Sequence, residues 1–443
     1  MKSVALAIDE RSPHGIATGI ARLITSGDLA PGDRLPTVRG LADDLGVSPA
    51  TVSHAWQTLA SAGLIMSRGR SGSFVRSVPR EWLPRRYRGL DGHLAARLDL
   101  SRGTPDPDLL PALGPAIARI STRADTTSYQ LKPDIPELHD LLRETWPAPV
   151  ESLTVTNGAM DAIDRVLASL VRFGDRVIVE NPTFPPFIDL LEAYGLEAVG
   201  VELDPEGMRP EPFAAALASG PAVVLLQPRA HNPTGVSMSV ERAARLAAIL
   251  RRSHGGAETI VVEDDHSGAI SSAADVSLAG WLPERVLHVR SFSKSHGPDL
   301  RIGALGGPRE LVDRVVARRL LGPGWTSRMT QAILHELLTD PTSLAQIETA
   351  RRVYAMRQRD LADAVRAAGG QLAEGDGINA WLRVADERDA IVELAAAGIR
   401  VAPGAPFQIG DAPEPHVRVT VGVLRDEAPA VGAALAAVAA PLA

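Results

Sequence analysis

The sequence predicts an α/β protein in two parts: a small N-terminal winged helix-turn-helix unit and a large body built on a mainly parallel sheet. Three observations carry this. Up to about residue 76, apolar residues recur at helical spacing between cap signals and lead into a short Gly/Arg/Ser-tipped hairpin. Beyond about residue 97, short apolar runs that end in polar residues alternate with helical patterns. Between them, residues 77–96 hold Pro79, Pro84 and the basic cluster Arg85-Arg86-Tyr87-Arg88 without sustained periodicity, as a connector would. The expected boundaries are 1–76 for the head, 77–96 for the linker and 97–443 for the body.

Composition fits that division. The chain has 443 residues, 45% hydrophobic and 22% charged, enough for several well-buried cores and too apolar for disorder. It has no cysteine, which excludes disulfides, thiolate metal sites and cysteine nucleophiles and fits a reducing compartment. The start, Met1 to Ser12, places acids directly after a short apolar stretch, unlike a secretory core. The apolar run from Ala430 to Ala443 is shorter than the roughly 18 residues that span a bilayer and is broken by Gly432 and Pro441. A cytoplasmic, soluble protein without membrane contact is expected. Its net charge of −7 hides an asymmetry, because residues 1–90 carry 12 Lys/Arg against 7 Asp/Glu while the remainder is strongly acidic. A basic head on an acidic body suggests that the head meets a polyanion.

In the head, Ile16, Ile20, Leu23 and Ile24 predict a first helix, closed by the turn Pro31-Gly32. Thr37 suits the N-cap of a second helix and Gly46 its left-handed C-terminal position. After Val47, Ser48 is a new N-cap, Pro49 suits the first helical position, and Val52, Ala55, Trp56 and Leu59 form the next apolar stripe. Leu64 to Val75 reads as two short strands around a basic tip. The second helix of such a pair enters the major groove, so Ser48, Thr51, Ser53 and His54 face base edges or phosphates, and Arg39, Arg68 and Arg70 can neutralise phosphates. The block from Arg34 to Val75 resembles the GntR-type DNA-binding domain along its length. That resemblance adds Arg34, Thr37 and Gly72 to the residues expected to line double-stranded DNA. Pro49 departs from it, because an Arg commonly follows the capping residue there.

In the body, the clearest strands are Arg176–Val179, Ala222–Leu226, Thr259–Val262 and Val286–Val289. In an open parallel sheet ligand groups gather at the carboxyl ends of the strands. The candidates there are Gly158, Ala159, Phe184, Asn232, Asp264, Ser291, Ser293, Lys294 and Arg301. Their order is informative. Ser291-Phe292-Ser293-Lys294-Ser295-His296-Gly297-Pro298-Asp299-Leu300-Arg301 resembles the lysine segment of fold-type I, class I aminotransferases, and His231-Asn232-Pro233-Thr234-Gly235 resembles their Asn-Pro-x-Gly segment.

This second resemblance implies pyridoxal 5′-phosphate (PLP). Lys294 would form an imine with its aldehyde, and a carboxylate, Asp264 or Asp265 with Asp264 better placed, would keep the pyridine nitrogen protonated. Arg301, Ser291, Ser293 and the backbone N–H groups of Gly158 and Ala159 would hold the phosphate, while Asn232 would donate to the ring oxygen and Phe184 would stack on the ring. Tyr129 aligns with a tyrosine that reaches the phosphate of the neighbouring subunit, and Arg418 with the arginine that clamps a substrate carboxylate. His266 stands where the family has a tyrosine that donates to the ring oxygen, Phe184 where Tyr is frequent, and Asp134 and His139 where Gly and Arg are usual. A GntR head on an aminotransferase-like body resembles the MocR family of bacterial transcriptional regulators. This resemblance implies a head-to-tail, domain-swapped homodimer that senses PLP, alone or with an amino compound that attacks the imine. The rival expectation is a working aminotransferase that carries a DNA-binding head; a third is a body that has lost its cofactor.

Overall fold

The structure, a computed structural model, describes all residues except 1–3, 9, 26–27, 62–63, 68–71, 77–83, 87–95, 121–131, 254, 257, 411–412 and 442–443. It forms two compact units, one built from residues 1–85 with 171–176 and 186–198, the other from the remainder.

In the first unit, helices α1 (Pro13–Thr25), α2 (Val38–Leu45) and α3 (Pro49–Ser61) precede the antiparallel strands β1 (Ile65–Ser67) and β2 (Ser73–Val75). Each expected cap is present. The Thr37 hydroxyl accepts from Gly40 N, and Gly46 lies at φ 67° with its N–H on the last carbonyls of α2. Ser48 Oγ accepts from Thr51 N at 3.1 Å, which starts α3 one residue after Val47. The tightness of that turn brings Ile16, Ile20, Leu41, Leu45, Val52, Trp56 and Leu59 into one buried cluster with Ile65 and Val75. A short 3-10 turn, Val4–Ala7, precedes α1 and has too few residues to show a period in the sequence.

The second unit carries two sheets. Eight strands lie in the order β4 (Ser152–Thr156), β11 (Gly303–Gly307), β10 (Val286–Ser291), β9 (Ile260–Asp265), β8 (Val223–Leu226), β5 (Arg176–Asn181), β6 (Glu197–Asp204) and β7 (Gly207–Met208). β5, β8, β9 and β10 are parallel and almost wholly buried, as their unbroken apolar runs require. β11 runs antiparallel between β10 and β4. Gly303, Gly306 and Gly307 give it no side chains to signal a strand; a Cβ at Gly303 would sit 3.0 Å from the Gly158 backbone. A second sheet orders β12 (Asn379–Arg383), β14 (His416–Thr420), β13 (Ile399–Pro403) and β3 (Leu98–Leu100), the last parallel to β13. Leu100, Leu382, Val401, Val417 and Val419 bury its core with Leu361 and Leu435. Among the described residues no helix is long and apolar enough to cross a membrane.

Candidate functional site

The carboxyl ends of the parallel strands collect the predicted residues. Along β9 the side chains alternate, and this separates three adjacent acids. Glu263 and Asp265 turn to the face that carries His288 and Arg229: Glu263 accepts from Ser277 Oγ at 2.6 Å, Leu278 N at 2.6 Å and His288 Nδ1 at 2.9 Å. Asp265 is clamped by Arg229 through Nε at 3.2 Å and Nη2 at 2.6 Å. Burial alone would raise the Asp265 carboxyl, but Arg229 holds it below the usual carboxylate range. Asp264 turns the other way. Gln227 Nε2 donates to its Oδ2 at 2.8 Å, while its Oδ1 is buried without a partner among the described residues. Burial, with Asp265 and Glu180 adding negative charge, raises its carboxyl to about 7 despite the Gln227 bond.

Gln227 also fixes the next loop, since its Oε1 accepts from Asn232 N at 2.9 Å and its own N–H donates to Glu180 at 2.8 Å. Asn232 Oδ1 faces Arg418 Nη1 at 3.4 Å. Arg418, on β14, is buried, donates through Nη2 to the Ser101 carbonyl, and lies 5.2 Å from the centroid of Phe407. Its Nε has no partner among the described residues, and burial draws its guanidinium down to about 10. Lys294 donates from Nζ to the Gly103 carbonyl at 2.6 Å. Burial, then the charge of Arg418, lowers its amine to about 8, with Asp264 opposing.

His266 bonds the Ala230 carbonyl through Nε2 at 2.8 Å, and burial, then Lys294, lowers its ring to about 4. A carbonyl can only accept, so Nε2 carries the proton and Nδ1 is an acceptor, with Ser267 Oγ 3.4 Å from it. His266 therefore offers no donor where the family's tyrosine hydroxyl would be.

The phosphate candidates also gather. Gly158, at φ 92°, precedes helix Ala159–Leu170, and a Cβ there would sit 3.0 Å from Arg301 Nη2. Arg301 is exposed in a left-handed conformation, φ 47°, with Nη2 at 3.5 Å from the Asn157 carbonyl. Ser291 is buried at the end of β10 and accepts from Ser293 N at 3.3 Å. Phe184 is half-buried just after Thr183, whose N–H donates to the Phe407 carbonyl at 2.7 Å. Asp134 pins its loop to β4, accepting from Val155 N at 2.8 Å; His139 lies beside Asp140 at 3.4 Å. Tyr129 lies outside the described residues.

These residues fit PLP. The orphaned Oδ1 of Asp264 is the acceptor a protonated pyridine nitrogen needs, the Gly158 cradle with Arg301 suits a dianion at a helix start, and an amine with a lowered pKa suits condensation with an aldehyde. Sequence reasoning missed Gln227, Arg229, Ser101, Gly103 and Thr420. Gln227 and Arg229 follow β8 in the same way as the residues that were singled out, and that position was the available signal.

In the head, Ser48, Arg34, Thr37, Arg39 and His54 are exposed, while Thr51, Ser53 and Gly72 are half-buried. Ser48 Oγ and Thr51 Oγ1 lie 2.8 Å apart, so both hydroxyls share the cap of α3. A Cβ on Gly72, at φ 98°, would meet Arg34 Nε at 3.2 Å, which keeps that arginine against the start of β2. Arg68 and Arg70 lie outside the described residues.

Fold and site together define a winged helix-turn-helix head on a fold-type I aminotransferase body. Residues 14–75 match the bacterial regulatory proteins of the gntR family, and residues 96–432 match aminotransferase class I and II. The chain belongs to the MocR-type transcriptional regulators, and its cofactor is PLP. It is 37% identical over 424 residues to the vitamin B6 salvage pathway transcriptional repressor PtsJ of Salmonella typhimurium, covering 95% of this chain and 96% of that protein. It is 30% identical to the HTH-type transcriptional regulator TauR of Rhodobacter capsulatus, with 89% of each chain covered. Among solved structures, the body resembles LysN, the α-aminoadipate aminotransferase of Thermus thermophilus, at TM-score 0.71 and 23% identity over 80% of this chain and 93% of that one, a likeness of fold.

Proposed function

We propose that this regulator reads the supply of PLP, with or without an amino acid, through Lys294, and that like the Salmonella relative it governs a vitamin B6 salvage function. The observation that carries this is the pairing of an amine lowered to about 8 with a buried carboxyl that keeps one oxygen unpartnered. Bound PLP supplies an aldehyde for the amine and a ring that stores electrons. Lys294 holds the cofactor covalently; Asp264 holds the proton on the ring nitrogen. Gly158, Ala159, Ser291, Ser293 and Arg301 bind the phosphate, joined by Tyr129 across a homodimer. Asn232 donates to the ring oxygen, Phe184 covers the ring, and Arg418 receives an effector carboxylate. His266, lacking a free proton, leaves that ring oxygen with Asn232 as its donor.

In this reading residues 1–76 bind double-stranded DNA through Arg34, Thr37, Arg39, Ser48, Thr51, Ser53, His54, Arg68, Arg70 and Gly72. Residues 77–96 are the connector, 97–443 the sensing body, and the assembly is a cytoplasmic, head-to-tail, domain-swapped homodimer. The acidic body favours DNA contact at the N-terminal end, since residues 1–90 carry 12 Lys/Arg against 7 Asp/Glu. A second reading, a working aminotransferase, is favoured by the intact set Lys294, Asp264 and Arg418. Titration of PLP into the full chain, followed by an amino acid panel and a 2-oxo acid, separates them. A visible imine band that is absent in Lys294→Ala and a single half-reaction support the sensor. Steady turnover supports the enzyme.

A further inference from the structure

Three hydrogen bonds hold a turn outside the predicted site, two of them from the site's two cations and one to a threonine. The Ser101 carbonyl accepts from Arg418 Nη2, the Gly103 carbonyl accepts from Lys294 Nζ at 2.6 Å, and Gly103 N donates to Thr420 Oγ1 at 2.8 Å. Thr420 is buried on β14, two residues beyond Arg418 and so on the same face of the strand. Gly103 lies at φ 62°, and a Cβ there would stand 2.7 Å from Arg418 Nη1, so a side chain would be strained and would push on that guanidinium.

The turn is fastened at both ends. Upstream, β3 pairs with β13 from Leu98 to Leu100, and Asp99 Oδ1 accepts from Ser101 N at 3.0 Å and Oγ at 2.6 Å. Downstream, Asp106 N donates to Tyr354 Oη at 3.0 Å, and Arg357 Nη2 donates to Asp106 Oδ2 at 2.9 Å. In the sequence β3 is the first strand after the segment that leads from the head.

We propose that Thr420 is a positioning residue that seats the Ser101–Gly103 turn as a built-in occupant of the ligand site, and that loading of the site unseats the turn and passes the event to β3. The inference rests on the cofactor reading above. When Lys294 takes up PLP it gives its ammonium proton to solvent, forms a C=N bond with the aldehyde carbon and releases the aldehyde oxygen as water. The Gly103 carbonyl then loses the ammonium it accepted from, and an orphaned acceptor in a closed site costs free energy. Arg418 answers to a different ligand. A carboxylate makes charge-assisted, bidentate bonds that a neutral carbonyl does not match, so it displaces Ser101. The cofactor releases one end of the turn and an acid the other, and full release needs a ligand that carries a carboxylate as well as the cofactor.

Among the described residues, the charged and titratable groups facing Lys294 are Arg418 from β14, Asp264 from β9 and His266 just beyond it. Thr420→Val and Thr420→Ser substitute none of these groups. The test uses the full-length protein and its variants Thr420→Val and Thr420→Ser, with PLP as the probe. Imine absorbance is read against pH, and amide hydrogen exchange over residues 97–104 is read with and without PLP. In the parent chain, loading speeds exchange in this stretch by about fivefold, the equivalent of one ordinary hydrogen bond. Thr420→Val exchanges fast before loading. It also takes up PLP with its pH midpoint moved downward, because an ammonium without its acceptor deprotonates more readily. Thr420→Ser keeps the hydroxyl and behaves as the parent. Exchange that is unchanged by loading in a parent chain showing the imine band, or a Thr420→Val protein indistinguishable from the parent, overturns the proposal and leaves the cofactor reading intact. A parent chain that forms no imine band takes both down.

Discussion

Asp264 and Asp265 are adjacent carboxylates with opposite environments. Arg229 neutralises one, and only an amide steadies the other, so the pair divides into a permanent anion and a carboxyl titrating near 7. A carboxyl raised in the folded state binds its proton there while the unfolded chain has lost it, so stability falls as pH rises from the unfolded value of 3.8 to about 7. His266 acts in the opposite sense: its folded value of about 4 lies below its ordinary value of 6.5, so its contribution rises with pH across that interval and is flat above it. Denaturant unfolding of unloaded Asp264→Asn against the parent isolates the first effect. Between about pH 5 and about pH 8 the variant gains roughly 2 to 3 kcal/mol on the parent. A constant difference would mean that Asp264 stays ionised throughout. Strand alternation alone showed that Asp264 and Asp265 face opposite ways; which of them is the unpaired one was not legible, because Arg229 and Gln227 act on partners more than thirty residues distant.

At the scale of elements, caps and periods made the head readable. Thr37, Gly46 and Ser48 each perform the local backbone task that their chemistry suits, and local tasks are what a sequence displays. The parallel strands β8, β9 and β10 were readable for the same reason, as continuous apolar runs. β11 and β3 were not: one is glycine-rich and the other three residues long, and both are strands because of what they lie beside. On DNA the helix α3 should read bases while flanking cations read the backbone. Replacing exposed Arg39 with Gln should weaken binding evenly across sequences and reduce the slope of log affinity against log salt by about one unit. Ser53→Ala should leave that slope alone and relax preference at particular base pairs by about 1 kcal/mol or more. Identical behaviour of the two variants in a salt titration over several DNA sequences would mean that α3 does not lie in the groove as assigned.

For the molecule as a whole, the resemblance of two ordered motif sets gave the joining of a DNA-binding head to a cofactor-binding body, and the family matches over residues 14–75 and 96–432 bear that joining out. What the sequence did not display is how the site communicates, because the Ser101–Gly103 turn carries no motif and acquires its meaning from Lys294 and Arg418, far along the chain. A ligand shifts a two-state protein only by binding its states unequally, so covalent attachment at Lys294 must change DNA affinity if the body is a sensor. The direct measurement is DNA affinity of the full-length protein and of Lys294→Ala on the DNA upstream of its own coding sequence, each with and without PLP. The account predicts that PLP shifts the affinity of the parent by about fivefold or more and leaves Lys294→Ala unmoved. Equal shifts in both proteins, or none in a parent that carries the imine band, would contradict it.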